Sequence, residues 1–438
     1  MEYRLPNLLK WTFGLFFAGL ISIPSSGQVA HSEKGSGKGK KSTIQNVPDS
    51  FIYKLLASYP QYFSPVLNKG NGLQVQIIYS RIDRDKKNRP VFTDHFWGID
   101  TGQYFYPAST VKLPIALLAL QRLNELKIAG LDLNSTMRTL PAGEKLTGVS
   151  NDPSAVDGRP SIAHYIRKIL LVSDNDAFNR LYEFLGQEYI NNTLRKMGYV
   201  HTEIIHRLNI SLTEAENRTA NAVQFFDSSG KLLYTKPEEK SRLAYQARNT
   251  RLGKGFIRGD QLVNEPFDFS QKNRLLLTDL HSMVRSILFP ESMPKEKRFT
   301  LTPADYAFLR RYMSMLPAES TSPVYDTTAY WDNYVKFVYY GSEKTKPDPA
   351  IRIFNKVGDA YGFLIDAAYV ADFSRQIEFM LSAVIYCNSD GIFNDDAYDY
   401  DTVGFPFLKH LGRMIYEYEL KRPRKKIPDL SAFQFQYR

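Results

Sequence analysis

The sequence predicts an α/β chain of the α+β type, with strands at both ends enclosing a helical middle. Three patterns carry that reading. Leu73 to Ile82 and Val91 to Gly98 are strand-like runs joined by the turn Arg84-Asp-Lys-Lys-Asn88, and three more runs, Ile351 to Gly358, Phe363 to Val370 and Gln376 to Cys387, come late. Between them, apolar residues recur at helical spacing over Leu113 to Leu120, Ile162 to Val172, Arg274 to Leu288 and Ala304 to Met315. An amphipathic helix over about Ser50 to Leu67 opens the fold, and another, Val403 to Glu419, closes it.

The 438 residues can bury a large core. Basic residues at Arg4 and Lys10, an apolar run Trp11 to Ile23 and small residues through Gly27 fit a secretory signal peptide over residues 1–27. The expectation is an exported protein, periplasmic or secreted. Its one cysteine, Cys387, leaves it without an internal disulfide. Of the net charge of +10, the leader carries +1, a Gly/Ser/Lys-rich linker (28–48) +3 and the C-terminal stretch 421–438 +5. The fold itself is therefore close to neutral, which argues against a nucleic-acid face. The basic linker and tail suit contact with an anionic envelope surface, or serve only as solubilising segments.

Within Tyr106-Pro-Ala-Ser-Thr-Val-Lys112, Ser109 stands where an N-cap belongs, just before the apolar helical pattern. Lys112 follows at i+3 on the same helix face, within reach of the hydroxyl. A lysine with a depressed pKa there would take the serine proton and make Ser109 a nucleophile. Two other Ser-x-x-Lys copies, Ser228 to Lys231 and Ser292 to Lys295, contain Gly230 and Pro294 and open no long apolar helix. Further on, Ser173-Asp174-Asn175 falls between two helical patterns, and Lys356-Val357-Gly358 ends a strand. Ser173 is placed either to cap the helix from Ala177 or to shuttle a proton, with the Asn175 amide free to hold a substrate's polar atoms.

These three motifs, in this order and on these elements, resemble the penicillin-recognising serine enzymes, the class A β-lactamases and related D,D-peptidases. The resemblance spans about residues 50 to 420. It implies an antiparallel sheet flanked by helices and built from 49–105 and 330–420, with an inserted all-helical lobe (106–329) and the site in the cleft between. It also implies roles. Ser109 would be the acylated nucleophile, Lys112 its base, and Ser173 and Lys356 the shuttle to the leaving group. Asn175 would contact substrate, and the backbone N–H groups of Ser109 and Asp359 would form the oxyanion hole beside Gly358. The implied substrate is a β-lactam or a peptidoglycan-type amide, with no cofactor or metal. The scattered histidines, His206 among them, lack zinc-site spacing, and His206 reads as a polar surface or loop residue.

Three departures matter. Lys356 lies 183 residues after Ser173, which requires an insertion, about 221–271, with a hairpin at Val223 to Tyr234 and irregular chain beyond. Val357 replaces the family's hydroxyl residue, so a carboxylate there loses a donor worth roughly 1–3 kcal/mol if buried. Residues 357–374 also supply no Lys or Arg for such a carboxylate. Third, class A enzymes clear the acyl group with a glutamate on a loop after Ser-Asp-Asn. Here Arg207-Leu-Asn209 resembles the start of that loop, and Glu214 or Glu216 is the expected base, with Asn217 sharing the water. Their spacing departs from the family's Glu-x-x-x-Asn. Two alternatives stay open: a D,D-peptidase that clears its acyl group slowly, and a non-catalytic envelope-binding protein on the same fold.

Overall fold

The computed structural model describes residues 49–68 and 72–437, so the expected signal peptide (1–27) and linker (28–48) lie outside the described residues. Two helices come first, α1 (Ser50–Ala57) and α2 (Pro60–Leu67), where the sequence pattern suggested one. Pro60 separates them, since it lacks the N–H that would continue α1 and suits the first turn of α2.

Strands β1 (Gln76–Arg84) and β2 (Pro90–Trp97) form a hairpin whose turn is held by Asp85, which accepts from Lys87 N at 2.8 Å and Arg89 N at 2.9 Å. Three later strands, numbered below as β6 (Ile351–Ala360), β7 (Phe363–Asp372) and β8 (Ile377–Tyr386), complete an antiparallel sheet in the order β6-β7-β8-β1-β2. Every residue of β7 is buried, because both faces of the sheet are covered. On one face, Leu408, Leu411 and Ile415 of α10 (Phe405–Lys421) share an apolar cluster with Leu364, Phe379, Leu381 and Ile385. On the other, Leu280, Val284 and Ile287 of α8 (Leu277–Leu288) join Ile365, Tyr369 and Met380 in the larger core.

The helical lobe contains α3 (Lys112–Leu126), α4 (Ile162–Val172), α5 (Asn175–Leu185), α6 (Gln187–Lys196), the short α7 (Glu214–Arg218) and α9 (Pro303–Ser314), besides α8. Helix α3 was expected to bury one face. Instead its Leu113 to Leu120 run is buried all round, as befits a helix at the centre of a lobe. The expected hairpin in the insertion is present as β4 (Val223–Phe226) and β5 (Leu232–Lys236), and β4 also pairs with β3 (Thr136–Thr139). Beyond it the chain is less irregular than its polar sequence suggested. Strands of two to four residues form there, and Gly255–Arg258 pairs with Ile392–Phe393 from the loop after β8. Phe267, Phe269, Tyr361 and Phe393 pack ring on ring at that junction, which stitches the insertion to the sheet. Strands this short have no readable period.

The C-terminal stretch is a packed strap, in contrast to the solvated basic tail that composition suggested. Phe433 is buried against Tyr369 and Phe289, and Arg422 binds Asp83 at 2.5 Å and Glu419 at 2.9 Å. Arg424 also pairs with Glu419. Three lysines, Lys421, Lys425 and Lys426, stay exposed there.

Candidate active site

The site forms where a tight turn, a helix junction and an edge strand meet. Ser109 does not cap α3. It lies inside a 3-10 turn, Ala108–Val111, one turn ahead of the helix, and Val111 is the uncapped N-cap. Ala108 takes a left-handed φ of 47°, a strained setting for a residue with a Cβ, and it delivers the hydroxyl of Ser109 to the surface of the lobe. Edge strand β6 runs against this turn at Gly358. A Cβ there would lie 2.9 Å from Pro107 O and 3.0 Å from the amide nitrogens of Ser109 and Thr110, so the close approach requires glycine.

Lys112 is fully buried, and its Nζ lies 2.7 Å from Ser109 Oγ, 2.7 Å from Asn175 Oδ1 and 3.3 Å from Ser173 Oγ, with the Ser173 carbonyl also in contact. Burial pulls its pKa down to about 7, against the opposing pull of Asp174 and Asp359. As a neutral amine, Lys112 can donate to the Ser173 carbonyl and to Asn175, leaving its lone pair to accept the Ser109 proton. The Asn175 carbonyl oxygen is thereby occupied, and only its NH₂ remains for a substrate.

Ser173 does not cap α5 either. Asp174 does, accepting from Ala177 N at 2.8 Å, while Ser173 ends α4 in the left-handed region at φ 60°. Its hydroxyl is freed to accept from Lys356 Nζ at 2.8 Å. Lys356 also donates to the Val357 carbonyl at 2.9 Å, and burial, helped by repulsion from Lys112, holds its pKa well below the usual lysine range. The four predicted groups Ser109, Lys112, Ser173 and Lys356 thus form one hydrogen-bonded chain.

Ser109 opens on a cleft of about 800 Å³, which Ser173, Asn175, Val357 and Asp359 also line. Val357 is 2% exposed and shares the apolar cluster of α10, so it offers the cleft only a hydrocarbon wall. Asp359 follows Gly358 with its carboxyl toward the cleft. Lost hydration pushes that carboxyl up, against the pull of Lys112 and Lys356. The far wall comes from Trp331, Tyr334, Val335 and Phe337, a segment the sequence patterns did not single out. Buried polar groups anchor it: Lys336 Nζ donates to Met313 O, Ile353 O and Asn355 Oδ1, and Asp366 accepts from Val338 N at 2.9 Å and Asn355 Nδ2 at 2.8 Å. Asp366→Ala leaves two donors buried without partners, at about 1–3 kcal/mol each, so urea unfolding should show a loss of roughly 3 kcal/mol.

The two acids expected to activate water are not brought to Ser109. Glu216 closes a capping box with Thr213, accepting from its N at 2.7 Å, and Glu214 is exposed and paired with Arg218 at 2.9 Å. Neither lines the Ser109 cleft; Glu214 borders a separate depression beside His206 and Lys272. Asn217 is buried and spends its side chain on the loop backbone, at Arg207 N and Thr213 O. From this loop it is Asn209, at φ 55°, that lines the cleft with Ser109. His206, read as a polar surface or loop residue, does lie in a loop, but it is half-buried and stacks on Tyr106, and burial lowers its pKa to about 4. Glu214→Gln and Glu216→Gln are therefore expected to leave the lifetime of any Ser109 adduct unchanged within about twofold, since neither acid lines the cleft where the water would act. Time-resolved intact mass measures this directly.

A serine beside a buried lysine, backed by a second serine and lysine across a cleft, supplies the groups that serine acyl transfer uses. Residues 61–251 match the model of the beta-lactamase enzyme family (Beta-lactamase2), the family that the motifs resemble. Among solved structures, the chain is similar to a β-lactamase from Xanthomonas campestris (14% identity, 84% of this chain and 98% of that one, TM-score 0.46). It is also similar to one from Burkholderia phymatum (13%, 84% and 96%, TM-score 0.44) and to PBP-A (13%, 83% and 95%, TM-score 0.45). No curated protein matches it.

Proposed function

We propose that this chain is a serine hydrolase that forms a covalent acyl-enzyme at Ser109 with a β-lactam or a related peptidoglycan-type amide. The observation that carries the reading is the chain of hydrogen bonds from Ser109 Oγ to Lys112 Nζ and, through Ser173 Oγ, to Lys356 Nζ. In acylation the Ser109 Oγ–carbonyl bond forms as Lys112 takes the hydroxyl proton. The C–N bond then breaks, and a proton passes through Ser173, backed by Lys356, to the leaving nitrogen. Charge on the carbonyl oxygen would fall to the Ser109 and Asp359 N–H groups, consistent with the close approach of Gly358 to the Ser109 turn. Hydrolysis of the ester returns Ser109 with its proton.

A second reading concerns the rate of that last step. The loop after Ser-Asp-Asn contributes an amide, Asn209, to the cleft in place of a carboxylate, which favours a peptidase-like centre with a long-lived acyl group over a rapid β-lactamase. The leader pattern supports action outside the cytoplasm, and Lys421, Lys425 and Lys426 remain free to meet an anionic surface.

Intact-mass analysis with penicillins and activated esters tests the proposal. One acyl adduct on the wild type and none on Ser109→Ala is the expected result. No adduct with any probe class would favour the non-catalytic binding protein. An adduct cleared within seconds would favour the β-lactamase, and one that persists for hours the peptidase.

A further inference from the structure

The cleft beside Ser109 is poor in free positive charge. Among the described residues, no arginine lines it. Lys409 does, but it is ion-paired with Glu343. His410 does too, but it lies flat on Tyr62 with ring centroids 3.7 Å apart, and burial with neighbouring cations lowers its pKa, so it is neutral. Lys112 and Lys356 are engaged by Ser109, Ser173, Asn175 and the Val357 carbonyl. The N-terminal end of α10 also opens on the cleft through Phe405 and Pro406, and Asp401, in the turn leading into it, offsets that positive end. Two carboxylates are left facing the cleft without a hydrogen bond or ion pair among the described residues, Asp359 and Asp401.

Asp359 is the one that meets the reacting group. It directly follows Gly358, which packs against the Ser109 turn, and it is near enough to both site lysines to pull on their charge. Its neighbour Val357 offers no hydroxyl to an anion. A carboxylate on the substrate at this point meets a like charge with no donor to offset it, whereas an ammonium meets an unpaired carboxylate in a partly dehydrated cleft.

We propose that Asp359 selects the acyl donor by charge, so that the cleft takes amides and esters bearing a protonated amine beside the scissile carbonyl and rejects those bearing a carboxylate there. This rests on the Ser109 acyl-enzyme reading and names its substrate class. Asp359 acts here as a specificity-determining residue, and Asp401 deepens the same negative field further along the wall.

The test uses the full chain and three activated thioesters identical except for one arm, which ends in an ammonium, a neutral amide or a carboxylate. The readout is the second-order rate of Ser109 adduct formation by intact mass. Wild type is expected to prefer the ammonium probe over the carboxylate probe by roughly 10²-fold at low salt, and to lose most of that preference as ionic strength rises. Asp359→Asn should narrow the ratio to within about threefold, and Asp359→Lys should reverse it. The salt dependence of the wild type reads the same field even if a variant fails to fold. Equal rates for the three probes on wild type would overturn the charge selection and leave the acyl-enzyme standing. So would an Asp359→Asn variant that slows all three probes alike, since Asp359 would then serve only to tune the lysines. No adduct with any probe would sink the acyl-enzyme reading itself, and this inference with it.

Discussion

Replacing Lys112 with methionine is expected to slow acylation of Ser109 by about 10³-fold or more, toward the upper end of what a general base supplies. The side chain has no solvent contact, and its Nζ lies 2.7 Å from Ser109 Oγ, closer than the 3.3 Å to the Ser173 hydroxyl. Lys112→Arg should be equally inactive, because a guanidinium keeps its proton at every accessible pH. That pair separates a base from a mere positive charge: if arginine restores the rate, the lysine acts by charge alone. The pH profile gives a second check. Burial holds the Lys112 pKa at about 7 against 10.5 for a free lysine, so the amine is neutral above pH 7 and charged below it. Acylation should therefore fall by about tenfold per pH unit below 7 and level off above it. A profile that falls as pH rises through 7 would rule the neutral amine out.

Asn209→Glu is expected to shorten the life of the Ser109 adduct by roughly 10²-fold, with little change in how fast the adduct forms. Asn209 is the residue of its loop that shares a cleft with Ser109, Ser173 and Asn175, so a carboxylate on a side chain one methylene longer can hold and deprotonate a water there. Asn209→Gln matches the length and supplies no base, and its adduct should live as long as that of the wild type. A Glu variant with an unchanged adduct lifetime would show that position 209 does not reach the acyl carbonyl, and that water is excluded or activated elsewhere. Asp359, which follows the Gly358 packed on the Ser109 turn and lines the same cleft, is the carboxylate to examine next.

Much of this site was legible in the chain because its parts are local. Ser109 and Lys112 are three residues apart, Ser173 to Asn175 are contiguous, and these two motifs fall at the boundaries of helices with a strong apolar period, while Lys356 to Gly358 lies inside the strand β6. The strands of the sheet and the helices α4, α8, α9 and α10 could be read for the same reason. What the sequence could not assign were the roles set by backbone shape and by long-range packing. Ser109 read as an N-cap and Ser173 as either a cap or a proton shuttle, since serine before a helix usually caps it, yet the turn at Ala108 and the left-handed end of α4 leave neither hydroxyl in a capping role. Glu214 and Glu216 carried the expected chemistry in the expected interval, but a capping box and an ion pair hold them on the outside of their loop, and Asn209 faces inward instead. The aromatic far wall and the packed C-terminal strap gave no periodic signal, because Lys336, Asn355, Asp366 and Phe433 find partners far away in the chain. By itself, then, the sequence singled out Ser109, Lys112, Ser173 and Lys356, all of them residues whose chemistry and local spacing go together. Only the tertiary structure decided which charges face the substrate, because an exposed acid in sequence is the same residue whether the fold turns it into the cleft or out to water.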